Sequence, residues 1–216
     1  MKYIIRLTFI WTLVLIFSCN KENIVDTPTQ VGISKVTYYV VLTLNGPAVQ
    51  SIVVGQTYVD SGATATENGQ PVKYTTSGTV DNETVGIYTI TYSAVNLDGY
   101  TSSTTRNVAV IATAPLPGVD LSGTYANVGS AALTANISMV APGVYFTNNC
   151  WGGGSTAVIP AYFFCSDGAT ITVPSQNFSA YGTLDGAGTY NAGLINWTIT
   201  LEDQGPFTAA KSWQKQ

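Results

Sequence analysis

Apolar and polar residues alternate over most of this chain, after one mostly apolar run near its start. The run covers residues 7–17 and is too short to cross a bilayer as a helix, but it has the length of a signal-peptide core. Beyond it, no segment keeps the 3.6-residue apolar period of an amphipathic helix, and Thr, Val, Ile and Tyr are frequent. We therefore expect an all-β protein with almost no helix.

Between residues 36 and 111 the alternation predicts about seven short strands. The most regular hairpin covers residues 86–111 and turns at residues 96–99. A second tight hairpin is marked by the pair Asn68 and Gly69. Strands at this spacing are typical of a Greek-key β-sandwich.

Five sequence blocks follow one another within this segment: 44–47 (Leu-Asn-Gly-Pro), 54–63, 79–81, 85–92 and 106–110. Together they resemble the bacterial immunoglobulin-like module of surface proteins, which is usually a spacer or adhesive unit without catalysis. Tyr88 lies where a tyrosine corner would donate a hydrogen bond back to the backbone. Ile90 takes the place of the cysteine of antibody domains, so packing alone would hold this sandwich.

Residues 112–118 contain two prolines and predict an extended, stiff linker. A second set of short segments, rich in aromatic residues, follows the linker. These segments are 121–125, 134–139, 144–151, 157–165, 170–173, 180–184, 188–191, 194–201 and 209–213. Antiparallel strands joined by Gly, Asp and Asn turns predict a meander that closes into a barrel, and a second sandwich is the alternative.

Three pieces of this second half carry a further resemblance: 123–125 (Gly-Thr-Tyr), 195–199 and 213–215 (Trp-Gln-Lys). They resemble C-terminal modules of Bacteroidota surface lipoproteins that have a lipocalin-like shape. The resemblance implies a barrel-like module over residues 119–216.

The residues at the end of the apolar run point to lipidation. Two basic residues precede the run, and Ile16, Ser18 and Cys19 close it. This pattern resembles a bacterial lipoprotein signal, although Phe17 stands where a small residue is usual. The resemblance implies cleavage after Ser18 and a lipid on Cys19. An ordinary secretory signal cut nearby is the alternative.

The pair Lys21-Glu22 after Cys19 resembles the short charged signal that sends Bacteroidota lipoproteins to the cell surface. We therefore expect an outer-membrane lipoprotein at the cell surface, with the periplasmic face as the alternative. The expected organisation is signal peptide (1–18), lipidated tether (19–35), immunoglobulin-like sandwich (36–111), linker (112–118) and barrel-like module (119–216).

The charge of the mature chain limits its partners. Without residues 1–18, six Lys and Arg remain against 12 Asp and Glu. This acidic balance disfavours nucleic acid, because binding to phosphates depends on Lys and Arg. The partners we expect are the membrane, through the lipid, and an extracellular glycan or an outer-membrane uptake complex.

The chain has no histidine, which excludes Ser-His-Asp and Cys-His catalysis and histidine-based metal sites. Three cysteines, one of them Cys19, do not make a structural zinc site, so we expect no metal and no cofactor. Glycoside hydrolysis by a carboxylate pair remains, with Asp167, Asp185, Glu202 and Asp203 as candidates. Each of these lies in a turn-like sequence, and we therefore expect no enzyme activity.

Cys150 and Cys165 are the other two cysteines. In an oxidising compartment they predict a disulfide bond. Two free, buried thiols are the alternative.

A candidate ligand site surrounds the glycine-rich tip at residues 152–154. Aromatic rings pack on sugar faces and amides bind hydroxyls, and five residues near the tip have these side chains: Tyr145, Asn148, Asn149, Trp151 and Tyr162. The alternative is that Trp151 plugs a barrel end and the other aromatic residues belong to the core.

The expected function is non-catalytic binding of an extracellular glycan or a nutrient-uptake partner. Two alternatives remain open: a structural or adhesive surface protein without a small ligand, and a carboxylate-dependent glycosidase.

Overall fold

Strands form nearly all the regular structure in the computed structural model, which describes residues 30–31, 34–154, 157–178 and 180–216. The single helical element in these ranges is a 3-10 turn, η1, at Glu202–Gln204. The all-β prediction is thereby confirmed. Within the same ranges, no helix has the length and apolar character needed to cross a membrane.

The predicted signal peptide, Cys19 and most of the tether lie outside the described residues. In the last part of the tether, β1 (Gln30–Val31) pairs antiparallel with β2 (Ser34–Lys35). Residues Tyr39–Gln216 form one compact unit, which contains both the immunoglobulin-like and the barrel strands.

The first half of that unit has seven strands in two sheets. One sheet has the order β3-β5-β6, and the other has the order β4-β9-β8-β7 with β4 and β9 parallel. The strands are β3 (Val41–Leu44), β4 (Val49–Val53), β5 (Ala63–Glu67), β6 (Gln70–Pro71), β7 (Thr75–Ser77), β8 (Gly86–Val95) and β9 (Thr101–Ile111). The predicted β-sandwich is confirmed.

Two local predictions for this sandwich are also confirmed. Asn68 and Gly69 form the two-residue turn between β5 and β6, with φ angles of 47° and 76°. Positive φ at both positions is what the tight hairpin requires, and Asn-Gly tolerates it. The Tyr88 hydroxyl donates a hydrogen bond to the Thr84 carbonyl oxygen at 2.9 Å, which is the expected tyrosine corner.

A fully buried arginine, Arg106, lies in the sandwich core beside the apolar side chains. Its guanidinium donates to the carbonyl oxygens of Asn45 (2.7 Å) and Gly62 (3.2 Å), to the Tyr92 hydroxyl (2.9 Å) and to the Asp60 carboxylate. These partners come from three of the five sequence blocks that carry the immunoglobulin-like resemblance, and Arg106 itself lies in a fourth. Because the donors of the buried charge have partners, these interactions offset the cost of removing the guanidinium from water.

The second half of the unit is a closed barrel of eight strands. Each strand pairs antiparallel with the next, and β10 pairs with β17 to close the barrel. The strands are β10 (Gly123–Asn127), β11 (Ser130–Ala141), β12 (Val144–Thr147), β13 (Ala161–Phe164), β14 (Thr170–Phe178), β15 (Gly182–Asn191), β16 (Leu194–Leu201) and β17 (Phe207–Lys215). The predicted barrel is confirmed, and the alternative of a second sandwich is wrong.

One detail of the barrel prediction is wrong. The segments 180–184 and 188–191 were expected to be two strands, but β15 continues through Asp185 and Gly186. A Cβ atom on Gly186 would lie 2.3 Å from the Thr198 carbonyl oxygen, and one on Gly188 would lie 2.3 Å from the Asn196 carbonyl oxygen. These glycines therefore allow the close approach of β16 and do not form a turn.

Large side chains fill the interior of the barrel. Tyr145 stacks on Phe163 with ring centroids 5.3 Å apart, and Phe163 meets Trp197 edge-on at 5.4 Å. Trp213 and Leu184 are buried in the same cluster. An eight-stranded barrel is just wide enough for its own side chains, so this interior is a packed core.

The two modules contact each other directly. Ala109 and Ile111 at the end of β9 pack against Ala141, Val144 and Phe164 on the outside of the barrel. The linker follows the barrel surface, since the Leu116 N–H donates to the Ser166 carbonyl oxygen at 2.8 Å. The prolines of the linker therefore do not hold the modules apart as a stiff spacer would.

Candidate functional site

The five residues predicted as a ligand site do not lie together. Tyr145 and Tyr162 are on neighbouring strands, but Tyr162 pairs with Phe146 and Tyr145 pairs with Phe163. Tyr145 therefore points into the barrel, while Tyr162 points out of it. The Tyr145 hydroxyl donates to the Val119 carbonyl oxygen at 3.1 Å, and burial raises the pKa of this phenol to about 12. Tyr145 is a core residue, which corrects its assignment to the site.

Trp151 covers one end of the barrel, as in the alternative interpretation. It is only 9% exposed, and its ring contacts Phe207, at 5.7 Å between centroids, and the Lys211 ammonium group, at 4.5 Å. The preceding carbonyl, that of Cys150, accepts hydrogen bonds from the indole N–H groups of Trp197 (3.1 Å) and Trp213 (3.4 Å). The ring therefore has little free surface and is not an open sugar platform.

The two asparagines before Trp151 stabilise the same loop. Asn149 is buried, accepts from the Gly152 N–H at 2.9 Å and donates to the Thr134 carbonyl oxygen at 3.3 Å. Asn148 is exposed and accepts from the Asn136 N–H at 2.8 Å. Their amides hold backbone groups, so the residues around Trp151 form a structural plug.

The predicted disulfide between Cys150 and Cys165 is absent, because both thiols are free and buried. The Cys150 N–H bonds to the Ile159 carbonyl, whereas the Cys165 N–H bonds to the Gly143 carbonyl at the other end of the β12–β13 hairpin. Six residues of extended chain separate these two ends, a distance of about 20 Å. A disulfide requires Cα atoms within about 7 Å, so this register forbids the bond.

A cleft of about 420 Å³ lies where β8 and β9 of the sandwich face β13 and β14 of the barrel. Its walls carry aromatic, amide and hydroxyl groups from both modules. The lining residues are Ile87, Thr89, Asn107, Tyr162, Gln176, Asn177 and Phe178. We call it the junction cleft, and Tyr162 is the one predicted site residue that it contains.

Hydrogen bonds connect the two walls of the junction cleft. The Thr89 hydroxyl donates to Asn107 Oδ1 at 3.0 Å, and Asn107 Nδ2 donates to the Tyr162 hydroxyl at 3.3 Å. A phenol that accepts one hydrogen bond can still donate its own proton, and an amide NH₂ has a second proton. This polar chain can therefore bind a ligand while it joins the modules.

Gln176 fixes the barrel wall of the cleft. Its side chain accepts from the Tyr162 N–H and donates to the Tyr162 carbonyl oxygen, both at 2.8 Å. It replaces ladder hydrogen bonds where the register of β14 shifts after Val173. The next two residues also line the cleft: Asn177 is exposed, and Phe178 is half-buried and packs against the barrel core.

Among the described residues, none of those that line the junction cleft is charged. A wider cleft of about 510 Å³ on the sandwich includes Asp60, but that carboxylate already accepts hydrogen bonds from Tyr58 and Arg106. Burial opposes the charge of Asp60, yet hydrogen bonds from Tyr92 and other neighbours hold its pKa below the usual value. Its interactions stabilise the sandwich.

Two of the four carboxylates considered for hydrolysis bind backbone N–H groups. Asp167 accepts from the N–H groups of Ala169 (2.8 Å) and Thr170 (2.6 Å), and these bonds lower its pKa. Asp203 accepts from the Thr183 N–H at 2.7 Å. Asp185 lies in β15, which corrects its assignment to a turn. The described residues include no group of three or more Cys, Asp or Glu side chains that could hold a metal ion.

Sequence reasoning missed Thr89, Asn107, Gln176, Asn177 and Phe178. Thr89 and Asn107 are directly paired across β8 and β9, on the face opposite the buried Ile90. Their polar side chains on that face indicate, from the sequence alone, a surface that could bind a ligand. The signal was incomplete, because strand alternation does not tell which part of the barrel covers a sandwich face.

These features define a class of protein: an all-β chain in which an immunoglobulin-like sandwich and a closed barrel together line a polar cleft. Residues 42–110 match the family model of the Ig-like domain of bacterial surface proteins. This match confirms the resemblance carried by the sequence blocks. No curated protein sequence matches the chain.

Two solved structures are similar to the chain. A lipoprotein of Bacteroides thetaiotaomicron is 23% identical, with a TM-score of 0.42, and the match covers 82% of this chain and 100% of that one. The M60 catalytic domain of ZmpB from Clostridium perfringens, with its two CBM51 domains, is 16% identical, with a TM-score of 0.32, and the match covers 76% of this chain and 15% of that one. Neither likeness is strong enough to indicate a function.

Proposed function

We propose that the chain is a non-catalytic, lipid-anchored protein of the bacterial cell surface that binds a neutral carbohydrate in the junction cleft. The observation that carries this proposal is the chemistry of the cleft walls. Rings, amides and a hydroxyl surround a space of about 420 Å³ without any charged side chain. That volume is within the usual range of small-molecule sites, about 300–1,000 Å³.

Each kind of lining group matches one part of a sugar. The Tyr162 ring offers an apolar face to pyranose C–H groups, and the amides of Asn107 and Asn177 offer a donor and an acceptor to neighbouring hydroxyls. A charged ligand would find no opposite charge there, which favours neutral sugars over uronic or sialic acids.

The cleft is also largely preformed. Gln176 clamps the backbone of Tyr162, and the Asn107–Tyr162 hydrogen bond joins the walls. Groups that are ordered before binding lose little conformational entropy when the ligand arrives. A weakly interacting polar ligand can therefore be held without rearrangement of the modules.

Two observations support the proposed location at the cell surface. Residues 42–110 match a domain of bacterial surface proteins, and the residues up to Cys19 resemble a lipoprotein signal. At the cell surface, a bound carbohydrate would be passed to an outer-membrane uptake complex, which is the partner role predicted from the sequence.

Catalysis is not part of the proposal. The chain has no histidine, and two of the candidate carboxylates already bind backbone N–H groups: Asp167 that of Ala169 in its own turn, and Asp203 that of Thr183 on β15. The cleft itself contains no carboxylate.

A glycan array with matched neutral and acidic glycans tests the ligand class on the mature chain. We expect binding to neutral glycans only. Calorimetry with the best glycan then compares Asn177→Ala in the cleft with Asn148→Ala near Trp151. We expect Asn177→Ala to lower the affinity by about tenfold, the loss of one good hydrogen bond, and Asn148→Ala to leave it unchanged.

Three outcomes contradict the proposal. Binding to no glycan favours the structural or adhesive role. A preference for acidic glycans contradicts the neutral ligand class. Loss of affinity in Asn148→Ala with full affinity in Asn177→Ala moves the site to the loop before Trp151.

A further inference from the structure

Four exposed apolar side chains gather at one end of the immunoglobulin-like module: Tyr39, Val95, Leu97 and Tyr100, which we call the apolar tip. Leu97 is 92% exposed, and each of the other three is more than half exposed. The rings of Tyr39 and Tyr100 contact each other with centroids 5.6 Å apart. Isolated exposed apolar residues are ordinary, but a cluster held together by ring contact indicates an interaction surface.

Hydrogen bonds to two buried side chains fix the turn that presents Leu97. The carboxylate of Glu67, itself buried, accepts a hydrogen bond from the Leu97 N–H at 3.2 Å. Asn96 is also buried, and its Oδ1 accepts from the N–H groups of Asp98 (3.1 Å) and Tyr100 (2.7 Å). The Leu97 side chain is thus held in solvent on a rigid turn.

The apolar tip and the junction cleft lie at opposite ends of the same hairpin. Val95 is eight residues beyond Ile87 on β8, which corresponds to about 27 Å of strand. Ile87 lines the cleft, and the paired end of β9 packs on the barrel. The tip is therefore a surface separate from the proposed carbohydrate site.

The tip is also the point at which the N-terminal segment joins the module. Tyr39 follows Cys19, the expected lipid-bearing residue, by 20 residues. Even fully extended, 20 residues span at most about 70 Å, so the tip stays near the lipid. Contact between the tip and the lipid surface is then intramolecular, with an effective concentration in the millimolar range, so that a few apolar side chains suffice.

We infer that the apolar tip rests on the lipid surface and orients the module with the junction cleft away from the membrane; this rests on the lipid anchor of the proposed function. Tyrosine is enriched at the boundary between water and lipid, and the leucine and valine side chains insert beside it. The tip has acidic neighbours, Glu67 and Asp98, and residues 95–100 contain no Lys or Arg. The matching surface is therefore zwitterionic lipid, and not a strongly anionic one.

The test uses the mature chain coupled through Cys19 to a maleimide lipid in phosphatidylcholine vesicles. This coupling supplies the anchor chemically, so the result does not depend on lipidation in the cell. Leu97→Trp places a fluorescent reporter in the tip, and Val128→Trp places a matched reporter at an exposed valine of the barrel. The buried tryptophans of the barrel are common to both variants.

We expect brominated phosphatidylcholine to quench the added fluorescence of Leu97→Trp and to leave that of Val128→Trp unchanged. In a Tyr100→Trp background, Leu97→Asp should abolish the quenching and leave carbohydrate binding intact. Equal quenching at both positions, or none at residue 97, overturns the inference. Loss of glycan binding with quenching retained would instead contradict the proposed function.

Discussion

The Tyr162 hydroxyl on barrel strand β13 accepts a hydrogen bond from Asn107 Nδ2 on sandwich strand β9 at 3.3 Å. This bond crosses the boundary between the modules, beside the apolar contacts of Ile111 and Phe164. It makes the junction cleft a property of both modules together. Loss of the bond should therefore affect the coupling of the modules as well as the ligand site.

A double-mutant cycle on Asn107→Ala and Tyr162→Phe measures that coupling. We expect an interaction energy of about 0.5–1.5 kcal/mol in urea unfolding, the net value of one hydrogen bond. As the control, Asn107→Ala combined with Tyr100→Phe, a substitution at the far end of the hairpin, should be additive. Additivity in the first pair would show that the two side chains do not interact.

Arg106 should be the most sensitive polar residue of the sandwich. Arg106→Met removes the buried guanidinium, so the carbonyl oxygens of Asn45 and Gly62 lose this donor and the Asp60 carboxylate loses its cationic partner. We expect a loss of about 3 kcal/mol in the free energy of unfolding. Lys73→Met, at an exposed position of the same module, should change it by less than about 0.5 kcal/mol. Similarly small losses for Arg106→Met and Lys73→Met would contradict the stabilising role of the Arg106 hydrogen-bond network.

The stability of the sandwich should decrease in acid through Asp60. Its pKa in the folded state lies below the ordinary value, so its contribution is fully present above the unfolded pKa of about 4 and is lost as the pH falls through the folded pKa. Urea unfolding of the wild type and Asp60→Asn tests this between neutral and acidic pH. The difference in the free energy of unfolding between the two proteins should shrink below about pH 4. A constant difference would rule out the carboxylate as its source.

The stability of the barrel should depend on the absence of a side chain at Gly188. A Cβ atom there would lie 2.3 Å from the Asn196 carbonyl oxygen and 2.5 Å from the Trp197 side chain. Gly188→Ala should therefore destabilise the protein by about 1–3 kcal/mol in thermal or urea unfolding. Gly154→Ala, where a Cβ meets nothing within 4 Å, is the matched control and should have little effect. An equally stable Gly188→Ala would contradict the tight packing of β15 on β16.

The two cysteines of the barrel should behave as protected thiols. Burial raises the pKa of Cys150 to about 12 and also raises that of Cys165. Iodoacetamide should therefore modify neither residue in the folded mature chain at neutral pH, and both in urea without a reductant. A disulfide-linked peptide in a non-reduced digest of the exported protein would contradict the register of β12 and β13.

The sequence predicted the features that depend on local pattern. Strand alternation identified the sandwich and the barrel, Asn68-Gly69 identified a hairpin, and the position of Tyr88 identified the tyrosine corner. Gly186 was misleading because glycine marks both turns and places of close strand contact. The sequence alone does not separate these two uses.

The candidate site depended on long-range register and could not be predicted in the same way. Tyr145 and Tyr162 belong to one hairpin, but their opposite orientation follows from the pairing of β12 with β13. The same pairing separates Cys150 from Cys165. The hydrogen bond between Asn107 and Tyr162 depends on how the two modules dock. No local sequence pattern in either segment predicts that docking.

The central claim is that a neutral carbohydrate binds in the junction cleft. Hydrogen–deuterium exchange of the mature chain, with and without the glycan selected on the array, locates the bound ligand directly. The account predicts slower exchange at residues 87–89, 107, 162 and 176–178, on both sides of the cleft. Protection confined to residues 148–154 around Trp151, or to the sandwich alone, would contradict it.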